Sequence, residues 1–400
     1  MKKGWEYKKI SEITFSIKDG DWIESKDQSS SGIRLIQTGN IGTGEYLDKL
    51  PRAKYISEDT FNRLHCTEIR GGDILISRLP DPVGRSCILP NMPTKCITAV
   101  DCSILKINPH IVVPKYFIYL TQSAKYFAQV KKQCTGTTRQ RIARKKLESI
   151  SLPIPPLFEQ QRIVSYLDSA FAKINAVAKN AENSLNEAKA LFQSALAKMM
   201  EPKEGWEEKT LSEIGMTLTG TTPSKSNSAF YGDYMPFIRP SEINYDGLGN
   251  LDYNSQIKLS KEGSEAGRVI KPGSILMVCI GATISKVGYS KQDVSCNQQI
   301  NVIKPYDEYN YKFIYYAMTA PSFKAKVIKE GSSSQATLPI INKKKWEQLT
   351  IAYPSLDEQN LIADKLDRLN QKIHVLSSNL SLTLSECAAL KQSILRQTFE

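Results

Sequence analysis

Lys131 to Lys146 (KKQCTGTTRQRIARKK) holds seven basic residues and no acid, and Lys324 to Lys345 (KAKVIKEGSSSQATLPIINKKK) holds six basic residues and one glutamate. Their net charges, +7 and +5, together equal the +12 of the whole chain, so the rest of the sequence is balanced. Both stretches have one layout: a basic run, a loop of small polar residues, then basic residues again before a Pro-containing joint. The loops are Thr135-Gly136-Thr137-Thr138 and Gly331-Ser332-Ser333-Ser334, the second followed by Gln335. Small hydroxyl residues with glycine offer hydroxyls and backbone N–H groups to phosphate oxygens. Nearby cations, Arg139 and Arg141 in the first stretch, supply the counter-charge. Other polar residues have the right groups to read base edges. They are Arg34, Gln37, Asn40, Ser77 and Arg78 in the first half, and Arg239, Glu242, Thr283, Lys286, Asn297 and Gln298 in the second. Arg matches guanine, and Asn or Gln matches adenine, through paired donors and acceptors. Taken singly, each is also an ordinary surface or turn residue.

Signatures of catalysis are missing from the sequence. It has no P-loop, no Gly-x-Gly-x-x-Gly, no His-Glu-x-x-His, no Gly-x-Ser-x-Gly and no Asn-Pro-Pro-aromatic tetrad. The eight cysteines (66, 87, 96, 102, 134, 279, 296, 387) form no Cys-x-x-Cys, and the three histidines are far apart in sequence. Reduced, packing cysteines and no zinc site are therefore expected. No apolar run reaches the roughly 18 residues of a membrane span. The polar start Met1-Lys2-Lys3-Gly4 does not read as a signal peptide, so a cytoplasmic location is expected.

The elements that must position these loops are written twice. Gly4-Trp5-Glu6-Tyr7-Lys8-Lys9-Ile10-Ser11-Glu12-Ile13 returns at Gly205 to Ile214 with seven of ten residues identical. Ile36 to Ile41 (IQTGNI) returns as Ile238 to Ile243 (IRPSEI), and Ile69 to Leu75 as Ile270 to Leu276. Pro155-Pro156-Leu157-Phe158-Glu159-Gln160 returns as Pro354-Ser355-Leu356-Asp357-Glu358-Gln359. Ordered matches at a nearly constant offset mean a tandem duplication of a whole domain. The frame agrees between copies while Gln37-Thr38-Gly39-Asn40 becomes Arg239-Pro240-Ser241-Glu242, so two like scaffolds would bind two different sequences.

Each copy predicts a mixed α+β head followed by one long helix. Short β-like runs such as Asp73 to Arg78, Cys102 to Ile107, Ser274 to Cys279 and Gln299 to Ile303 are bounded by turn residues. Helical segments are predicted from about Pro114 to Val130 and from about Tyr309 to Ile328. From Leu157 to Met199 and from Leu356 to Phe399 there is neither Pro nor Gly. Leu167, Ile174, Ala181, Ala188 and Ala195 recur every seven residues, flanked by Phe171, Ala178, Leu185, Phe192 and Met199. In the second run Leu366, Ile373, Leu380, Cys387 and Ile394 alternate with Leu369, Leu376, Thr383 and Leu390. These are sustained heptads, and each such helix needs a partner. The link at Glu201-Pro202-Lys203-Glu204 is too short for a parallel return, so the two helices are expected to pair antiparallel as a spacer between the heads, with a pseudo-two-fold relation. The expected boundaries are 1–155 for the first head, 156–200 for the first spacer helix, 201–354 for the second head and 355–400 for the second helix. On these residues alone, a two-headed protein-interaction adaptor for acidic partners and an enzyme acting on DNA unaided remain alternatives to a DNA-specificity scaffold.

A Gly-Trp-Glu opening, a β-rich domain and a Pro-Ile-Pro-Pro-Leu-Phe-Glu-Gln joint (Pro153 to Gln160) leading into a long helix, all repeated once, resemble the specificity subunit of type I restriction-modification systems. The resemblance covers the whole chain. The second joint departs from it with Ser355 at the second proline. It implies two target recognition domains, each reading one part of a split, asymmetric site on double-stranded DNA, and no catalysis in this chain. It also implies helices that dock two modification (methyltransferase) subunits. Those subunits would bind S-adenosylmethionine and methylate adenine, and restriction subunits, where present, would use ATP and Mg.

Overall fold

The computed structural model describes residues 4–137, 139–244, 246–331 and 339–399. Two compact units divide the chain: Met1–Lys179 with Thr383–Glu400, and Asn180–Leu382. The division falls inside both long helices, because each head shares its core with helix turns from both copies.

Unit one contains β1 (Glu6–Lys9), β2 (Thr14–Asp19), β3 (Ile33–Ile36), β4 (Lys54–Ile56), α1 (Glu58–Arg63), β5 (Ile74–Ser77), β6 (Ser86–Ile88), β7 (Cys96–Thr98) and β8 (Cys102–Ile107). It continues with α2 (Pro114–Leu120), α3 (Ala124–Gln133), α4 (Arg144–Glu148), β9 (Ser151–Ile154) and the first part of α5 (Leu157–Met199). A four-stranded antiparallel sheet has the order β2-β8-β5-β6, and a three-stranded sheet has the order β4-β3-β7, with β3 parallel to β7. The larger sheet is a middle layer. Ile74 and Ile76 of β5 enter the core formed with the helices, while Leu75 between them enters a second core with Ile36, Cys96 and Ile104. A strand alternates its side chains between faces, so a strand covered on both sides must be apolar throughout. That is why the run Ile74-Leu75-Ile76 carries no alternation. The predicted helix from Pro114 to Val130 is two helices: Ser123 caps a new start by accepting from the Tyr126 amide at 3.2 Å.

Unit two repeats this order with β10 (Glu207–Thr210), α6 (Leu211–Ile214), β11 (Gly215–Thr219), β12 (Tyr231–Ile238), β13 (Lys258–Leu259), α7 (Lys261–Ala266), β14 (Ile275–Val278), β15 (Val287–Tyr289), β16 (Ser295–Cys296) and β17 (Ile300–Pro305). Then come α8 (Tyr311–Thr319), α9 (Pro321–Gly331), α10 (Lys343–Glu347), β18 (Thr350–Tyr353) and the first part of α11 (Leu356–Phe399). The sheets run β11-β17-β14-β15 and β13-β12-β16. Ile275 and Met277 face the helices, and Leu276 and Val278 face the smaller sheet. The predicted second helix is also split, between Thr319 and Pro321. All eight cysteines are free, and six are buried. Burial pushes the Cys66, Cys96 and Cys102 thiols up to about 11, away from the reactive thiolate.

The heptads of α5 hold: Leu167, Phe171, Ile174, Ala181 and Ala188 are buried, and Ala178, Leu185, Phe192, Ala195 and Met199 are half-buried. In unit one, Leu395 and Phe399 of α11 share a core with Ile163, Leu167 and Phe171 of α5. In unit two, Leu196 and Met200 share a core with Ile362 and Leu366. The end of one helix therefore meets the start of the other in each unit, which is antiparallel pairing. The flanking stripe of α11 is only partly covered, with Leu376 and Leu390 at 44% and 50% exposure. A helix pair buries one seam and has no third neighbour for the flanks. Among the described residues no helix is long and apolar enough to cross a membrane.

A buried glutamine ties head to helix in both units. Gln160 Oε1 accepts from the Val113 amide at 2.8 Å, and its Nε2 donates to the Ile111 and Pro155 carbonyls, both at 2.8 Å. Gln359 Oε1 accepts from the Asn310 amide at 2.9 Å, and its Nε2 donates to the Pro354 carbonyl at 2.9 Å. Both helices begin at the leucine after the joint, Leu157 and Leu356, so Ser355 in place of proline does not move the start. About two turns along, Asp168 receives Lys115 at 2.8 Å and the Tyr119 hydroxyl, and Asp367 receives Lys312 and the Tyr316 hydroxyl at 2.6 Å. Gln160→Leu is expected to destabilise unit one by about 2–3 kcal/mol, since it strands a buried amide and two carbonyls. A lower midpoint of urea unfolding checks this, and an unchanged midpoint would show the tie to be dispensable.

Candidate nucleic-acid interface

One end of the first head gathers five segments. β2 leaves its sheet through Gly20, whose amide donates to the Cys102 carbonyl at 2.9 Å. A Cβ at Gly20 would lie 2.3 Å from the Ala99 carbonyl oxygen, so only glycine passes. Asp21 then bonds across to the segment before β8, its amide donating to the Thr98 carbonyl and its carbonyl accepting from the Val100 amide, both at 2.8 Å. After β3 comes the turn Thr38–Asn40, closed by Asn40 Oδ1 accepting from the Gln37 amide at 3.0 Å. The connection from β5 to β6 folds over this turn. Arg85 pins the two, donating to Thr38, Ile41, Leu79 and Pro82 carbonyls at 2.6–3.0 Å.

The basic loop is anchored at the same end. The Ile142 amide donates to the Arg78 carbonyl at 3.2 Å, while the Arg78 side chain donates to the Val100 carbonyl and faces Asp19 at 3.5 Å. Thr135 and Arg141 exchange both backbone hydrogen bonds at 2.9 Å, which closes a tight loop between α3 and α4. Gly136 enters it at φ +99°, where a Cβ would sit 2.5 Å from the Arg139 carbonyl oxygen. Thr135, Gly136, Thr137, Arg139 and Arg141 are exposed, and Thr138 lies outside the described residues. Lys131, Lys132, Arg139, Lys145 and Lys146 are exposed with no acid partner among the described residues, whereas Arg144 is held by Asp19 and Glu148. The outcome is an end of the head with free positive charge beside backbone and hydroxyl donors, which suits polyanion backbones.

The candidate base readers separate into two kinds. Arg34, Asn40, Ser77 and Arg78 are buried and engaged inside the head, so they hold loops rather than reach outward. Arg34 of β3 bonds Asp48 at 2.9 Å, Asn40 also donates to the Leu47 carbonyl, and Ser77 donates to the Leu79 carbonyl. Gln37 is the member of this group whose side chain stays partly at the surface. Two residues of this end carried no signal in the sequence pattern: Arg85, and Trp22, an indole 70% exposed next to Asp21. Alignment of the copies marks Arg85, because Lys286 stands at the same offset as the flanking strands.

The second head repeats the frame with other side chains. Gly220 passes within 2.2 Å, Cβ to oxygen, of the Asn297 carbonyl. Glu242 takes the place of Asn40 and accepts from the Arg239 amide at 2.9 Å and the Arg239 guanidinium at 2.7 Å. Lys286 donates to the Pro240 carbonyl at 3.2 Å, and Asn297 bonds Gln299 at 2.9 Å. Thr283 and Gln298 are exposed, with Gln298 accepting from Thr222 at 2.5 Å. Ser332, Ser333, Ser334 and Gln335 lie outside the described residues. The flanking lysines are more often paired than in the first head, Lys326 with Glu208, Lys343 with Glu347 and Lys345 with Glu330. Burial pushes the Glu242 carboxyl up, but bonds from Arg239 and Ser241 outweigh it and hold the pKa below its usual 4.5. The resulting stability is complete above that usual value and is lost as pH falls through the lower folded one. Glu242→Gln is therefore expected to destabilise at neutral pH, with the difference from wild type shrinking below about pH 4, as unfolding measured across pH would show.

Known proteins place this arrangement. The model of the type I restriction modification DNA specificity domain matches residues 2–187 and again 203–382. The specificity subunit of the type I restriction enzyme HindI from Haemophilus influenzae is 25% identical over 361 residues, 72% of this chain and 78% of that one. The EcoKI specificity subunit of Escherichia coli is 21% identical across 100% of this chain and 89% of its own. Among solved structures, a chain from work on assembly and conformational transition of the type I R-M system superposes with a TM-score of 0.75 at 20% identity, covering 100% of this chain and 98% of that one. The HsdS subunit from Thermoanaerobacter tengcongensis gives 0.51 at 19% identity, covering 100% and 97%. These two likenesses concern the fold, and the doubled domain match carries the assignment: this chain belongs to the type I restriction-modification DNA specificity family, a non-catalytic subunit that supplies DNA sequence specificity through two recognition domains.

Proposed function

We propose that each head reads one part of a split, asymmetric site on double-stranded DNA, and that the loop-bearing end of each head is the reading surface. The observation that carries this is the pairing of one frame with two sets of side chains. Gly20 and Gly220, the turns at Asn40 and Glu242, and the pins at Arg85 and Lys286 correspond, while Arg239 replaces Gln37 and Thr222 replaces Trp22 in the second copy. Exposed cations of the loop between α3 and α4 grip phosphates without regard to sequence, and side chains of the reading turns discriminate bases. Arg139, Arg141, Thr135, Gly136 and Thr137 are the proposed backbone contacts of the first head. Thr138 belongs with them, and Ser332, Ser333, Ser334 and Gln335 are their counterparts by sequence. Gln37, Arg239, Thr283, Asn297 and Gln298 are the proposed readers.

The long helices dock two modification subunits in this reading and set the spacing between the two parts of the site. Exposed apolar residues on them support a docking role: Phe158, Tyr166 and Val177 in unit one, and Leu191, Val375 and Leu382 in unit two. S-adenosylmethionine, and ATP with Mg where restriction subunits join, belong to those partners. The assembly works in the cytoplasm.

Selection from random duplexes should enrich a split motif, whereas no enriched motif would favour an adaptor for acidic proteins. Arg139→Ala with Arg141→Ala should weaken binding at every sequence and lower the slope of log affinity against log salt by about 0.9 per lost contact. An unchanged slope would remove this loop from the phosphate contacts. Lengthening both helices by one heptad should change the distance between the two parts of the motif, mapped by methylation of cellular DNA, and leave the parts themselves intact.

A further inference from the structure

Arg85 immediately precedes β6 and is 7% exposed. Among the described residues its guanidinium donates to backbone carbonyls alone: Ile41 at 2.6 Å, Thr38 at 2.8 Å, Leu79 at 2.9 Å and Pro82 at 3.0 Å. Two of these acceptors belong to the segment after β3 and two to the connection between β5 and β6. Among the described residues none of its hydrogen bonds goes to a carboxylate; burial pushes its pKa below the ordinary arginine value, outweighing the more distant charge of Asp81. A buried cation with no carboxylate bonded to it is costly, and a methionine of similar volume would fill the space more cheaply. What the guanidinium adds is direction: a rigid planar fork whose N–H groups point at fixed angles to four oxygens. It sets one loop against the other in a defined register.

The second head keeps the position and changes the group. Lys286 stands before β15 as Arg85 stands before β6, and its Nζ donates to the Pro240 carbonyl at 3.2 Å, the counterpart of Thr38. Pro240 follows Arg239 directly, as Thr38 follows Gln37. Each pin therefore grips the peptide next to the residue that differs most usefully between heads.

We infer that Arg85 and Lys286 are positioning residues for sequence discrimination: each fixes the segment carrying Gln37 or Arg239 against the neighbouring connection, so that the reading side chain meets the bases in one pose. This rests on the reading that each head recognises one part of the site. Base discrimination depends on paired hydrogen bonds whose geometry fails with small displacements. Phosphate grip by exposed lysines and arginines tolerates them. Loosening a pin thus blurs preference in one part of the site and leaves the salt dependence alone.

The test uses the full chain assembled with its modification partner and a pool of random duplexes, with three chains compared: wild type, Arg85→Lys and Lys286→Met. Arg85→Lys keeps the charge and one donor while losing the fork. Its base preference should fall about tenfold at one or more positions in one part of the motif, with the other part as sharp as in wild type. Lys286→Met should do the reverse. Both should keep the wild-type salt slope. The inference is overturned if both parts stay sharp in the two variants, if both parts blur together, or if only thermal stability drops. Should Arg85→Lys not fold, Lys286→Met puts the same claim to the second head. A wild-type complex that selects no split motif overturns the two-head reading, and this inference with it.

Discussion

A buried amide must find partners, and in this protein that requirement joins recognition to scaffold. Gln160 and Gln359 sit at the first turn of each long helix with their amide oxygens on a head amide and their nitrogens on joint carbonyls. Helix α5 or α11 cannot pivot about its head without leaving those groups unpaired in an apolar core. The aspartates about two turns on, each clamped by a lysine and a tyrosine from the same head, resist rotation about the helix axis. Head and helix therefore behave as one body within each unit, and anything built on the helix inherits the orientation of the reading loops.

The loops themselves are held by the same kind of bond at closer range. Side chains that look like base readers are spent on backbone: Asn40 and Glu242 close equivalent turns, and Arg85 and Lys286 grip equivalent carbonyls. Duplicated domains can diverge in the groups that do this because the requirement is only that a carbonyl or amide be satisfied. Arg78, buried and bonded to a carbonyl in the first head, is replaced by Cys279, packed in the core of the second; both still lend a carbonyl to the isoleucine that ends the basic loop, Ile142 or Ile341. The frame survives a change of side chain wherever the backbone contact carries it.

Legibility in the sequence followed the range of the interaction. The duplication, the joints and the heptads of α5 were readable because each is a pattern of neighbours along the chain, and the heptad positions are buried or half-buried. The single helices predicted from Pro114 and Tyr309 were not, because each break depends on a local cap or a proline start that apolar periodicity does not register. Arg34, Asn40 and Arg78 have the right chemistry for reading bases, yet they are held by Asp48, Leu47, Val100 and Asp19, out of reach of spacing arguments; Ser77 and Glu242 bond near neighbours, but only the fold buries them. Trp22 and Arg85 illustrate the opposite error: their types are unremarkable in the sequence, and only exposure in one case and burial in the other makes them stand out.

Taken alone, the sequence determined that there are two copies of an α+β head, where each long helix begins, and that the excess charge belongs to corresponding stretches before the joints. Those properties are sums over residue types or periodicities, and no contact is needed to compute them. The tertiary structure alone decided which polar residues face outward and which hold the loops. A side chain's role there is set by carbonyls and amides brought together from five separate segments, and the chain becomes specific about them only when the middle sheet, covered on both faces, has placed those segments at one end.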